Sequence, residues 1–162
     1  MDIHIRWPLT DDLNPPATDA EIATLQQQLG VTLPADYVQV LQQHNGQRGL
    51  ADGLFDGQEF LSTQNVFEQW RLWKGLHDAG QFKSMRSSPA QGVRDDWWNP
   101  RWIPFTHDGG GNHLCLDLDP AAGGAVGQVI TLWHDGGERV LCSSDFGAWF
   151  ADWQLRAVPP HP

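Results

Sequence analysis

Basic side chains are scarce in this 162-residue chain. Ten Lys and Arg face 20 Asp and Glu, giving a formal net charge of −10 and a pI of about 4.8. Phosphate backbones and anionic headgroups are bound by Lys/Arg-rich surfaces, so the shortage argues against nucleic acid and against a charged membrane surface as partners. Long apolar runs are missing too. None approaches the ~18 residues of a spanning helix, and the polar, mixed stretch from Met1 to Asp12 does not read as a signal peptide, so a cytoplasmic protein is expected. Cysteine is nearly absent. Cys115 and Cys142 lie in apolar surroundings and read as buried free thiols, and no C-x-x-C or Cys/His spacing suggests a metal site. Only one Tyr is present, against nine Trp. With 40% hydrophobic residues, this aromatic content belongs to a folded domain and not to a disordered acidic tail. The length suits one domain with a core of its own.

The acid is not spread evenly. Met1 to Leu61 carries nine acids and two bases, Ser62 to Arg101 four acids and six bases, and Trp102 to Asp152 seven acids and one base. Two acidic blocks thus flank a mildly basic middle. Brought together, they would form a negative face that steers cationic partners.

Periodicity gives an element order. Ile3, Ile5 and Trp7 alternate with polar residues, a strand signal that Pro8 and Asn14-Pro15-Pro16 interrupt. Thr18 and Glu21 fit a capping box, followed by Ile22, Leu25 and Leu29 on one helical face, with Gly30 at the C′ position. A second helix is expected from Pro34, with Tyr37, Val40, Leu41 and His44 as its face and Asn45-Gly46 as its stop. A third starts at Ser62 or Thr63, buries Val66, Trp70, Trp73 and Leu76 or His77, and ends at Gly80. Residues 47–61 and 83–96 read as irregular, the second stretch long enough to be functional or mobile.

From Trp97 the pattern turns to strands. Trp102–Phe105 is a short apolar run, and Asp108–Asn112 a Gly-rich turn. His113 to Asp119 alternates, with Leu114, Leu116 and Leu118 on one face and His113, Cys115, Asp117 and Asp119 on the other. Gly127 to His134 is the next strand, and Asp135-Gly136-Gly137 turns the chain back to Val140-Leu141-Cys142. A last helix, Asp145 to Leu155, carries Phe146, Trp149, Phe150 and Trp153 at helical spacing. Helices first and antiparallel strands after them indicate an α+β fold.

Sharp chemical readings compete here with plainer ones. His107-Asp108 and His134-Asp135 invite a metal reading, and Asp117 and Asp119 share a strand face with His113, but His-Asp pairs beside Gly turns arise readily without a metal. Gly109–Gly111 lacks the Lys and Ser/Thr of a phosphate loop and reads as a tight turn. Ser143-Ser144-Asp145 reads as a helix cap. Trp70, Trp73, Trp149 and Trp153 fit helical core stripes. Trp97 and Trp98 stand side by side, so one is expected to point outward or into a cleft, where aromatics anchor interfaces.

The series Glu21, Leu29-Gly30, Leu33-Pro34-Ala35-Asp36-Tyr37 and Asn45-Gly46 resembles the opening of Smi/Knr-type domains. Trp98, Trp102-Ile103-Pro104-Phe105, Asp108–Asn112, Leu116-Asp117, Asp119-Pro120 and Gly127–Ile130 resemble their second half, and Ser144, Phe146 and Trp149-Phe150 their close. The resemblance is to the SUKH superfamily and spans about residues 18–153. It implies an α+β domain with N-terminal helices packed on a mainly antiparallel β-sheet and a C-terminal helix. The expected organisation is an extension over 1–17, one domain over 18–155 and a flexible tail over 156–162. Family roles are binding roles, so no catalytic residue and no cofactor is expected. The first functional expectation is a bacterial immunity protein that binds and neutralises a cognate toxin, its protein partner being a basic toxin domain. The alternative is an interaction scaffold in cell-wall or regulatory assemblies. A metal-dependent hydrolase using His107, Asp117 and His134 ranks last. The candidate partner-binding residues are Trp97, Trp98, Trp102, Asp108, Asn112, Asp117, Asp119 and Asp135.

Overall fold

A computed structural model describes residues 12–49 and 52–157; the expected strand over Ile3–Trp7 lies outside them. Two helices open the described chain, α1 (Asp19–Leu29) and α2 (Ala35–Leu41). The capping box forms as read. The Thr18 hydroxyl accepts from the Glu21 N–H and the Glu21 carboxylate accepts from the Thr18 N–H, each at 3.0 Å. Gly30 closes α1 at φ +70°, a left-handed conformation that glycine adopts without a Cβ penalty. α2 is shorter than expected. It stops at Leu41, and His44 leaves the helical face for the Asn14 carbonyl, 2.8 Å from its Nδ1.

Next come β1 (Glu59–Phe60), α3 (Thr63–Asp78) and β2 (Ser88–Pro89). The strand-rich half holds β3 (Trp102–Pro104), β4 (Thr106–His107), β5 (His113–Asp117), β6 (Gln128–Leu132), β7 (Glu138–Arg139) and β8 (Leu141–Ser143), before α4 (Phe146–Ala157). The main sheet is antiparallel in the order β3-β5-β6-β8, with β1-β4 as an antiparallel pair and β2-β7 as a parallel one. The fold is therefore α+β, with N-terminal helices, a mainly antiparallel sheet and a C-terminal helix. α4 runs two residues past its expected end, and Arg156 in its last turn bonds Asp56 and Asp152.

The sheet is covered on both faces. Strand side chains alternate, yet all five residues of β6 are buried. Register puts Trp102, Asp117 and Gln128 side by side on one face and Ile103, Leu116 and Val129 on the other. α3 packs on the first face, where Trp73 meets His113. α4 packs on α2, β6 and β8. There Tyr37, Phe105, Phe146 and Trp149 form edge-to-face and tilted pairs at 5.0–6.2 Å, favoured over stacked sandwiches by the ring quadrupole. The face of β5 that carries His113, Cys115 and Asp117 is thus interior, not a polar outer face. Cys115 is buried in it, whereas Cys142 is exposed, against the expectation of two buried thiols.

Candidate functional site

The eight expected binding residues do not form one face. Asp108, Asn112 and Asp135 belong to turns at the start of β5, while Asp117, Asp119 and Trp102 lie at its far end. Some 13 Å of strand separates the two ends at ~3.3 Å per residue.

At the first end, Asp108 organises its own turn. Its Oδ1 accepts from the Gly110 and Asn112 N–H groups at 2.7 and 3.1 Å, and its Oδ2 accepts from the Asn112 side chain at 2.8 Å. Desolvation pushes this carboxyl up, but those hydrogen bonds and His107 outweigh it and hold it below the usual carboxylate range. Asn112 in turn accepts the His134 N–H at 3.0 Å. Gly111, at φ +91°, holds a conformation that strains any other residue, and a Cβ there would meet His134 Nδ1 at 3.0 Å. Asp135 beside it is exposed.

At the far end, Asp117 is fully buried. It accepts from Gln128 Nε2 at 2.8 Å and from the Asp119 N–H at 2.9 Å, and burial raises its pKa. Asp119 pairs with Arg94 at 3.1 Å and accepts from Asn99. No tryptophan expected at an interface is on the surface: Trp97, Trp98 and Trp102 are 9%, 3% and 0% exposed. Trp97 and Trp102 instead pack on the guanidinium of the buried Arg139, 4.9 and 5.9 Å from the ring centroids. Arg139 donates to the carbonyls of Trp97, Gly136 and Glu138 at 2.6–3.0 Å, and desolvation lowers its pKa to about 10. Trp97, Trp98, Trp102 and Asp117 are therefore interior residues.

The hydrolase residues are not assembled either. Asp117 lies at the opposite end of β5 from the turn that follows His107, and among the described residues no three His, Cys, Asp or Glu side chains converge on one point. His113 is engaged at both ring nitrogens, with Nδ1 donating to the Thr106 carbonyl at 2.8 Å and Nε2 accepting from the Trp73 indole at 3.0 Å. His107 stacks on it, 5.0 Å between centroids.

An open apolar groove lies elsewhere, along the outer side of α3. A groove of about 440 Å³ runs between Leu72, Leu76, Phe82 and Met85, with Trp73 and His113 behind them. Leu72 and Leu76 are 59% and 48% exposed, so neither Leu76 nor the likewise exposed His77 continues the core stripe as expected, and Met85 is exposed as well. Past Phe82 and Met85 the groove continues into a second pocket bordered by Trp97, Trp98, Asp95 and Asp96. The sequence carried a signal for this face. Leu72 and Leu76 are spaced i, i+4, one turn apart, and they are offset from the Val66, Trp70, Trp73 stripe that packs inward. Among the described residues no helix is long and apolar enough to cross a membrane.

Comparison with known proteins bears on what such a domain is. Residues 16–152 match the SMI1 / KNR4 family (SUKH-1). The chain belongs to this family. Among SMI1/KNR4 relatives, a glucan synthesis regulatory protein of Neurospora crassa is 25% identical over 89% of this chain and 36% of its own length. A cell wall biosynthesis/cell cycle regulator of Schizosaccharomyces pombe is 28% identical over 83% of this chain and 30% of its own. An uncharacterised Bacillus subtilis protein is 45% identical over a shorter stretch, 33% of each chain. This SMI1/KNR4 chain spans about a third of the length of these relatives.

Proposed function

We propose that the chain is a non-catalytic protein-binding domain that works within a regulatory assembly. The observation that carries this reading is the groove on α3, where large apolar side chains stand exposed beside a roomy cleft in an otherwise strongly acidic domain. The fungal relatives named as regulators of glucan synthesis and of cell wall biosynthesis support the assembly role. A second reading, an immunity protein that neutralises a cognate toxin, is favoured by the twofold excess of acid over base, which suits a basic toxin domain.

Co-purification with the products of neighbouring genes tests both. One product is expected to bind the chain in a stable ratio, and the Leu72→Asp/Leu76→Asp variant, with its melting temperature checked, is expected to lose it. A partner retained equally by that variant would remove the groove from the reading. If the partner is toxic when expressed alone and harmless with this chain, the immunity reading holds. If growth is unaffected, the assembly reading does.

A further inference from the structure

We propose that the pocket beyond Phe82 and Met85 receives a cationic side chain, lysine or arginine, carried on an exposed segment of the partner protein. This rests on the protein-binding reading above and names the chemistry that the partner brings. The pocket holds about 350 Å³ and combines ring and carboxylate walls: His77, Phe82, Trp98 and Trp97, whose ring also carries the Arg139 guanidinium, with Asp95 and Asp96. Ring faces attract cations, and two carboxylates beside them set the sign of the ligand.

Neither carboxylate is already neutralised. Asp95 accepts from the Ser87 hydroxyl at 3.0 Å and Asp96 from the Asn99 side chain at 3.1 Å. These contacts orient the carboxylates, and neither residue forms an ion pair among the described residues, unlike Asp12, Asp56, Asp78, Asp119 and Asp152. Lys83 borders the same pocket and pairs with neither.

A second observation is independent of charge. Trp98 borders this pocket at 3% exposure, and its indole N–H has no acceptor among the described residues. A buried donor left unmatched is costly and uncommon, so an acceptor brought by a ligand gains from it. A simple cation supplies no acceptor. A basic peptide segment supplies both the cation and, one or two bonds from its side chain, a backbone carbonyl. The adjoining apolar groove has room for a neighbouring apolar side chain, so the recognised pattern is a basic residue next to an apolar one.

The test is a titration of the isotope-labelled protein, followed by the Trp indole N–H resonances. The probes are N-acetyl-lysine methylamide, its arginine counterpart, and N-acetyl-norleucine methylamide as the neutral control. Saturable shifts of the Trp97 and Trp98 signals are expected with a cationic probe and not with norleucine. The Asp95→Asn/Asp96→Asn variant should bind that probe about tenfold more weakly, the scale of one charge-assisted contact, while its remaining spectrum stays that of the folded protein. Equal shifts from charged and neutral probes, no shift at these indoles, or unchanged affinity in the double Asn variant would each overturn the proposal. With a full-length partner the two readings separate. Binding that survives Asp95→Asn/Asp96→Asn but fails in Leu72→Asp/Leu76→Asp defeats the cation pocket and leaves the binding domain standing.

Discussion

His113 is held in one tautomer. Its Nδ1 carries the proton given to Thr106, and its Nε2 lone pair takes the Trp73 indole proton. A second proton on the ring would face the Trp73 N–H head on. Burial lowers the folded pKa to about 4; the Thr106 carbonyl and Asp108 pull it back up, while His107 and His134 push it further down. The unfolded chain therefore takes up this proton first. The contribution of His113 is complete above pH ~6.5 and is lost as pH falls toward 4, by about 3 kcal/mol in all. Buried Asp117 acts in the opposite sense. Its raised pKa means that the folded state binds its proton more tightly, so it favours the fold as pH falls. Urea unfolding between pH 7 and 4.5 should show a falling midpoint in the wild type, a flatter profile in His113→Gln and a steeper one in Asp117→Asn. A His113→Gln profile parallel to the wild type would refute this account.

Among the elements, helix ends separate what is local from what is not. The Thr18 cap could be read directly because Glu21 is three residues away, and Thr18→Ala should cost about 1 kcal/mol in chemical denaturation. Asp36, in the first turn of α2, accepts from the Tyr37 N–H and also reaches beyond its own helix. Its Oδ2 accepts from the Gly147 N–H at 2.8 Å, tying the start of α2 to the first turn of α4 across 111 residues. Asp36→Ala should therefore cost more than Thr18→Ala, about 1–2 kcal/mol, and should loosen α4, seen as faster amide exchange at Gly147 and Ala148. No local pattern announces such a bond. The same contrast explains the other departures. Spacing tells which residues of α3 share a face, but whether Leu76 is covered depends on how far β5 and the 81–85 segment reach over it. Adjacent Trp97 and Trp98 would point apart in a strand. In irregular backbone both turn inward, one of them drawn to Arg139, which follows 42 residues later. The alternation of β5 is legible, but a sequence does not reveal that α3 lies over its polar face, which buries Asp117 among the candidate residues.

For the whole molecule, charge governs how partners arrive. At −10 the domain's field extends beyond single contacts, so association with a basic partner should be fast at low salt and slow as ions screen it. Between roughly 0.05 and 0.5 M salt the association rate should fall about tenfold or more while dissociation changes little, measured by stopped-flow mixing. A salt-independent rate would mean that the apolar groove, and not the field, governs the encounter. The two acidic blocks do meet at one point, where Arg156 bridges Asp56 of the first and Asp152 of the second. That bridge has a consequence for architecture. Asp12 pairs with Arg48, Leu13 with Gln47, and Arg156 with Asp56, so both ends of the described chain bond to the segment 47–56. A substitution in that segment is therefore felt at both ends of the described chain.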